Sequence, residues 1–196
     1  YQREILFDEI QKTANNLFIP FGVGGGVKTI EDFSKLFHNG ADKVAINTYA
    51  VQENPEIINQ AAQIFGNQAI VVNIEAKKWN GWYECYTDCG RIQSSKNVIE
   101  WAKEVELRGA GEIFLQCIDT DGRQKGFDIE LARQVVESVN IPVVVASGAG
   151  KLEDIKELIE YVRPSGVALA SLLHYDKYTI KDIKEYLKNN GIEVSK

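Results

Sequence analysis

At 196 residues the chain is long enough for one domain with a substantial core, and residues 1–196 are read as a single unit. A hydrophobic fraction of 44% and a charged fraction of 26% are ordinary for a globular protein, and no apolar run approaches the ~20 residues of a membrane span. The net charge of −6 argues against nucleic acid or an anionic membrane as partner, but not against an anionic metabolite, which responds to local dipoles. No signal peptide is visible, and Cys85, Cys89 and Cys117 lack a zinc-type spacing, so reduced thiols in a cytoplasmic protein are expected.

Residues 3–16 place apolar side chains at Ile5, Leu6, Ile10 and Ala14, a helical stripe. The chain opens at Tyr1 in what reads as mid-helix and holds no Met, so a longer native N-terminus is expected. Ile19 to Val23 are expected to form a buried strand, followed by Gly24-Gly25-Gly26. Thr29 caps the next helix, with Glu31 and Asp32 in its first turn. Val44 to Ile46 make a short strand. Asn54 caps a helix that has Pro55 at its first position and runs to Phe65.

Ala69 to Ile74, AIVVNI, reads as a fully buried strand. Trp79, Trp82, Tyr83 and Tyr86 then alternate with polar residues around Asn80-Gly81, the pattern of a β-hairpin. Lys96 to Arg108 form a helix and Ile113 to Ile118 a strand. Asp119 to Phe127 is a polar, glycine-rich loop, and Asp128 caps a helix to about Ser138. A last helix spans Thr179 to Asn189 and is stopped by Gly191.

The stretch from Ile19 to Thr48 is echoed by Ile141 to Ser171. Ile19-Pro20 recurs as Ile141-Pro142 and Glu31-Asp32 as Glu153-Asp154, at one common offset. Each copy is an apolar run, a glycine cluster (Gly24 to Gly26, or Gly148-Ala149-Gly150), a helix with an acidic first turn, and a short strand ending at Thr48 or Ser171. A glycine turn lets backbone approach a ligand closely, and the helix behind it aims free N–H groups and a positive dipole end at that ligand. Two such turns favour two phosphate sites and a ligand with a phosphate at each end. Six strands alternating with helices imply a parallel α/β sheet. The internal repeat favours a closed (β/α) barrel, a TIM barrel of two half-barrel repeats, with the first two of eight βα units outside this chain.

VGGG, GADKVAINT, GAGEIFLQCIDTDGRQKGFD and the Ala-Ser-Gly-Ala-Gly run together resemble the cyclase subunit of imidazole glycerol phosphate synthase, from histidine biosynthesis. The resemblance covers essentially the whole chain. It implies a lyase on an eight-stranded barrel, which adds ammonia to a doubly phosphorylated aminoimidazole-carboxamide ribonucleotide, closes the imidazole ring and releases an aminoimidazole-carboxamide ribotide. The ammonia would come through the barrel from a glutamine amidotransferase (glutaminase) subunit at the opposite face. By position, one phosphate site would use Gly25, Gly26, Asn47 and Thr48. The other would use Gly122 and Gly148, with Ala170 and Ser171. The family's ammonia gate matches Lys43 and Glu112, which on sequence alone read as a solvated ion pair worth little.

The family's acid–base aspartates depart here. One lies on a first strand that this chain lacks, and the other is replaced by Glu75 in the run Ile74-Glu75-Ala76-Lys77. Glu75 is a substitute base, a base retuned for another substrate, or a carboxylate that only orders its loop. Asp121 is the second candidate, with Asp119 beside it as a brace for the loop. Ala146-Ser147 stands where many members have Ser-Gly, so a hydroxyl is displaced by one position. His38 and His174 are isolated, and neither metal nor cofactor is expected. Two further readings stay open: a paralogue that amidinates cell-surface sugars with a glutaminase-like partner, and a non-catalytic remnant.

Overall fold

The computed structural model describes residues 5–195. Its elements begin with α1 (Phe7–Ala14), β1 (Gly22–Gly24), α2 (Ile30–His38), β2 (Lys43–Ile46), the short α3 (Thr48–Gln52) and α4 (Glu56–Phe65). Next come β3 (Ile70–Trp79), β4 (Trp82–Thr87), β5 (Ile92–Asn97), α5 (Val98–Leu107), β6 (Glu112–Cys117) and α6 (Ile129–Ser138). β7 (Val143–Ala146), α7 (Leu152–Val162), β8 (Gly166–Val167), the short α8 (Ser171–His174) and α9 (Ile180–Asn189) follow. Among the described residues no helix is long and apolar enough to cross a membrane.

Six strands lie parallel in the order β1-β2-β3-β6-β7-β8, as expected of strands separated by helical crossovers. The two-residue period of a strand splits each one between two environments. On β3, Ile70, Val72, Ile74 and Ala76 are buried with the helix residues Phe33, Ile58 and Trp101. The alternate residues Asn73 and Glu75 face inward, where Gly24 of β1, Ala45 of β2 and Gln116 of β6 line the same cavity. The sheet therefore curls, with its helices outside. Ile74 has no solvent exposure, so Ile74→Ala is expected to cost about 2–5 kcal/mol. Urea unfolding checks this as a lowered midpoint with an unchanged slope.

The echo in the sequence is a shared device in space. The Asp32 Oδ2 accepts the backbone N–H groups of Lys28 (2.9 Å) and Thr29 (2.8 Å) at the start of α2. Asp154 Oδ2 does the same for Gly150 (2.8 Å) and Lys151 (3.1 Å) at the start of α7. Each carboxylate satisfies donors that the first helical turn leaves free, and so fixes the glycine turn in front of it.

Several boundaries differ from those read in the sequence. Residues 3 and 4 of the first helix lie outside the described residues. Ile19 is not in a strand: β1 begins at Gly22, and Phe18 and Ile19 are 97% and 70% exposed, because β1 pairs with β2 on one side only. Lys96 and Asn97 belong to β5, which the sequence reading missed; Asn97 Oδ1 caps α5 by accepting from Ile99 N–H at 2.8 Å. Asn54 does act as a cap, since its Oδ1 accepts from Glu56 N–H at 3.1 Å, although the helix proper begins after Pro55. Thr48 and Ser171 open the short helices α3 and α8 rather than closing strands.

The hairpin forms as expected, with Asn80 at φ 47 and Gly81 at φ 86 making a tight turn between β3 and β4. It is anchored to the start of α6. The Tyr83 hydroxyl lies 3.0 Å from each carboxylate oxygen of Asp128, and Asp128 Oδ1 also accepts from Leu131 N–H at 2.9 Å to cap α6. Burial, and then the Asp128 carboxylate, push the Tyr83 hydroxyl well above its usual range, so it stays a donor. Cys85 and Cys117 are buried and Cys89 is exposed, all three as free thiols. Burial pushes the Cys85 thiol up to about 12, which leaves it unreactive.

Candidate active site

Two cavities open side by side at the C-terminal ends of the parallel strands. The larger, about 830 Å³, is lined by Gly25 and Gly26 after β1, Asn47 and Thr48 after β2, and Glu75 of β3. The smaller, about 200 Å³, is lined by Asp121 and Gly122 after β6, Gly148 after β7, and Ala170 and Ser171 after β8. Phe114 and Gln116 of β6 belong to both and form the wall between them. The sequence thus brings ten candidate residues to one end of the sheet, five to each cavity.

The glycines leave room where a ligand could sit. Gly25 has φ +107, and a Cβ there would meet nothing within 4 Å, so its backbone faces open space. Gly148 has φ +116, and a Cβ would fall 2.2 Å from the carbonyl oxygen of Gly126, whose own N–H donates to Gly148 O at 2.9 Å. One glycine gives access and the other gives close packing. Asn47 and Ala170 occupy matching places before α3 and α8, with φ/ψ of −137/−89 and −121/−70. The first N–H groups of α3 and α8 have no partner within their own helices.

Glu75 sits against the turn between β4 and β5. Its Oε2 accepts from Gly90 N–H at 2.8 Å, and in the same turn Asp88 N–H donates to Thr48 Oγ1 at 3.1 Å. Asp88, Cys89 and Gly90 all have positive φ, a tight turn that presents the Asp88 and Gly90 N–H groups to Thr48 and Glu75. Burial raises the pKa of Glu75 above the ordinary 4.5; the Gly90 and Asn47 contacts pull it down, and the charges of Asp88 and Asp121 add to the rise. A half-buried carboxylate with a raised pKa at a cavity wall is the chemistry of an acid–base group.

Asp119 is a brace, as its position suggested: its Oδ2 accepts from Lys78 N–H at 2.9 Å and ties the loop to β3. Ser147 has φ 75 and a buried hydroxyl without a hydrogen-bond partner among the described residues. Polar residues lining the larger cavity that the sequence did not single out include Lys28, Asn73, Asp88, Arg91 and Gln116. Asn73 was legible in principle, as the one polar residue at an inward period-two position of AIVVNI. The Asn47 and Asn73 side-chain oxygens are also buried without partners, a condition that costs about 1–3 kcal/mol for each such group.

At the opposite end, Lys43 opens β2 and Glu112 opens β6, and their side chains meet at 2.5 Å. Glu112 is only 16% exposed and Lys43 37%. The solvated pair read from the sequence is corrected: Glu112 shares the inward face of β6 with Phe114 and Gln116, so water reaches it poorly.

A curled parallel α/β sheet with its cavities and its carboxylate at the C-terminal strand ends is the architecture of an α/β protein that binds a small ligand there. The chain belongs to the family described as histidine biosynthesis protein, whose family model matches residues 1–179. Among curated relatives, the imidazole glycerol phosphate synthase subunit HisF of Thermococcus onnurineus strain NA1 is 47% identical over 194 residues, 98% of this chain and 76% of the relative. The protein of the same name from Pyrococcus furiosus is 45% identical over 194 residues, with the same coverage. That from Campylobacter concisus strain 13826 is 44% identical over 192 residues, 98% of this chain and 75% of the relative.

Proposed function

We propose that the chain is a cyclase of the imidazole glycerol phosphate synthase type, a lyase of histidine biosynthesis working in the cytoplasm. The observation that carries this reading is the pair of glycine-lined cavities side by side at one end of the sheet, with Glu75 in the wall of the larger, which fits a ligand phosphorylated at both ends. One phosphate would rest on Gly25, Gly26, Asn47 and Thr48, and the other on Gly122, Gly148, Ala170 and Ser171. Thr48 accepts from the Asp88 N–H, which leaves its own proton free to donate to a phosphate oxygen. Between the phosphates, Glu75 takes and returns protons while ammonia adds and the imidazole ring closes. Asp121, across the wall, supplies the second carboxylate. The full fold we assign is the eight-stranded barrel of two half-barrel repeats, of which six strands lie in this chain.

The ammonia source in this reading is a glutamine amidotransferase subunit docked at the end of the sheet that carries Lys43 and Glu112. Removing one partner of a shielded pair leaves the other charge uncompensated. Lys43→Met is therefore expected to lower glutamine-dependent turnover with the partner present more than ammonia-dependent turnover without it. Equal loss in the two assays removes the gate.

The test of the activity is turnover of the bis-phosphorylated aminoimidazole-carboxamide ribonucleotide by this chain with ammonium as nitrogen source. Formation of imidazole glycerol phosphate is the expected result. Tight binding without turnover overturns the cyclase reading in favour of amidination of a sugar.

A further inference from the structure

Asn47 and Asn73 carry buried side-chain oxygens with no hydrogen-bond partner among the described residues. They stand side by side: Ile46 of β2 pairs with Val72 of β3, so Asn47 and Asn73 occupy the next position along the two strands. Both line the larger cavity. One strand further round, Gln116 of β6 is paired with Glu75 of β3 and lines both cavities. Three carboxamides thus line the inner surface of the curl on three adjacent strands, Asn47 directly beside Asn73, and Gln116 diagonally across from Asn73, two positions further along β6 than Phe114.

Asn73 and Gln116 have no part in the phosphate sites, which are built from glycines, hydroxyls and helix starts at the strand ends. Neither can serve as acid or base. A buried carboxamide oxygen calls for an N–H or O–H donor, and the Gln116 amide in the same cavity can supply donor and acceptor together. A flat group bearing adjacent N–H donors, such as a carboxamide, an amidine or an amino-substituted ring, satisfies that pattern. A bare sugar phosphate does not.

We propose that Asn73 and Gln116, continuing from Asn47, form an amide belt that recognises the planar N–H-bearing centre of the ligand and selects it over plain phosphorylated sugars. The inference rests on the reading of the cavities as phosphate sites and adds what lies between them. It makes Asn73 and Gln116 specificity residues, since a site built to hydrogen-bond a group discriminates strongly against ligands that lack it.

The test is calorimetric titration of the whole chain with two probes that share a phosphate and a ribose, aminoimidazole-carboxamide ribotide and ribose 5-phosphate. The wild type is expected to prefer the ribotide by at least about tenfold. Asn73→Leu and Gln116→Leu are expected to lose most of that preference while binding ribose 5-phosphate as the wild type does. Asn73→Ala is titrated beside Asn73→Leu, so that a packing defect in one is exposed by the other. Equal wild-type affinity for the two probes, or a preference that survives in all variants, overturns the belt. Ammonia-dependent turnover is scored separately. A wild type with the preference but without turnover sinks the cyclase reading and leaves the belt standing; turnover with the preference intact in every variant does the reverse.

Discussion

Glu75→Gln is expected to lower ammonia-dependent turnover by about 10²–10⁴-fold, the usual worth of a positioned general base, with little change in ligand affinity. Glutamine has the same length and can still accept from Gly90 N–H, now 2.8 Å from Glu75 Oε2, so only the proton-transferring function is removed. Glu75→Asp retains the charge but draws the carboxylate back by one methylene from that N–H. A displacement of about 1 Å can cost about 100-fold, so aspartate is expected to be a poor replacement here. Steady-state kinetics on the three proteins checks this; equal rates would reduce Glu75 to a loop anchor.

The raised pKa of Glu75 also fixes the sign of two pH effects. A base must be ionised, so the acidic limb of the rate profile is expected above the ordinary carboxylate value of 4.5. For stability, the fold favours the neutral form, whose contribution is complete below the unfolded pKa and is lost as pH rises through the folded one. At neutral pH the ionised Glu75 therefore weakens the fold. Glu75→Gln is expected to unfold at a higher denaturant concentration than wild type at pH 7, with the gap closing below the ordinary carboxylate pKa. A gap that widens in acid would contradict burial as the leading cause.

Gly148→Ala is expected to be the most damaging single methyl at the site. Its φ of +116 is a backbone conformation that alanine avoids, and the added carbon would sit 2.2 Å from a carbonyl oxygen. Relief requires parting β7 from the loop at Gly126 and breaking the 2.9 Å hydrogen bond from Gly126 N–H to Gly148 O. Strain of this kind costs about 1–3 kcal/mol before the lost packing is counted. Gly122→Ala is the control: φ is +68, but nothing lies within 4 Å of the new carbon, so only the left-handed penalty of about 1–2 kcal/mol applies. Thermal unfolding of the two variants separates steric from conformational cost. Equal shifts would mean that the 126–148 contact yields easily.

What was legible in the sequence followed from periodicity and repetition. The glycine clusters, Glu31-Asp32 and Glu153-Asp154 recur at one offset because the same carboxylate-capped turn is built twice. Asp121 was legible as a carboxylate in the polar loop after an apolar strand, whereas Glu75 was legible only through the resemblance of the run Ile74-Glu75-Ala76-Lys77 to the family's carboxylate context. β5 was not: QSSKN has neither apolar alternation nor β-branched bulk, and its strand form comes from pairing with β4 and from Glu84, whose Oε1 accepts from Ser95 N–H at 2.8 Å. The grip of Gly90 on Glu75 could not be read either, since a backbone donor carries no residue code and this one lies fifteen positions away. The partial shielding of the Lys43–Glu112 pair depends on the curl of the sheet, a property of all six strands together.

In the proposed reading of two phosphate sites, the shared wall of Phe114 and Gln116 makes the two cavities a gauge of length. Strands held by a hydrogen-bonded ladder do not stretch, so the separation between the Thr48 and Ser171 ends is set by strand count and curvature. A ligand whose two ends match that separation pays the cost of encounter once, and its second end binds at high effective concentration. One that is a few ångströms too short or too long reaches a single cavity and loses that advantage entirely. Selection by size then needs no contact with the ligand's middle at all; it is written into the spacing of the strands.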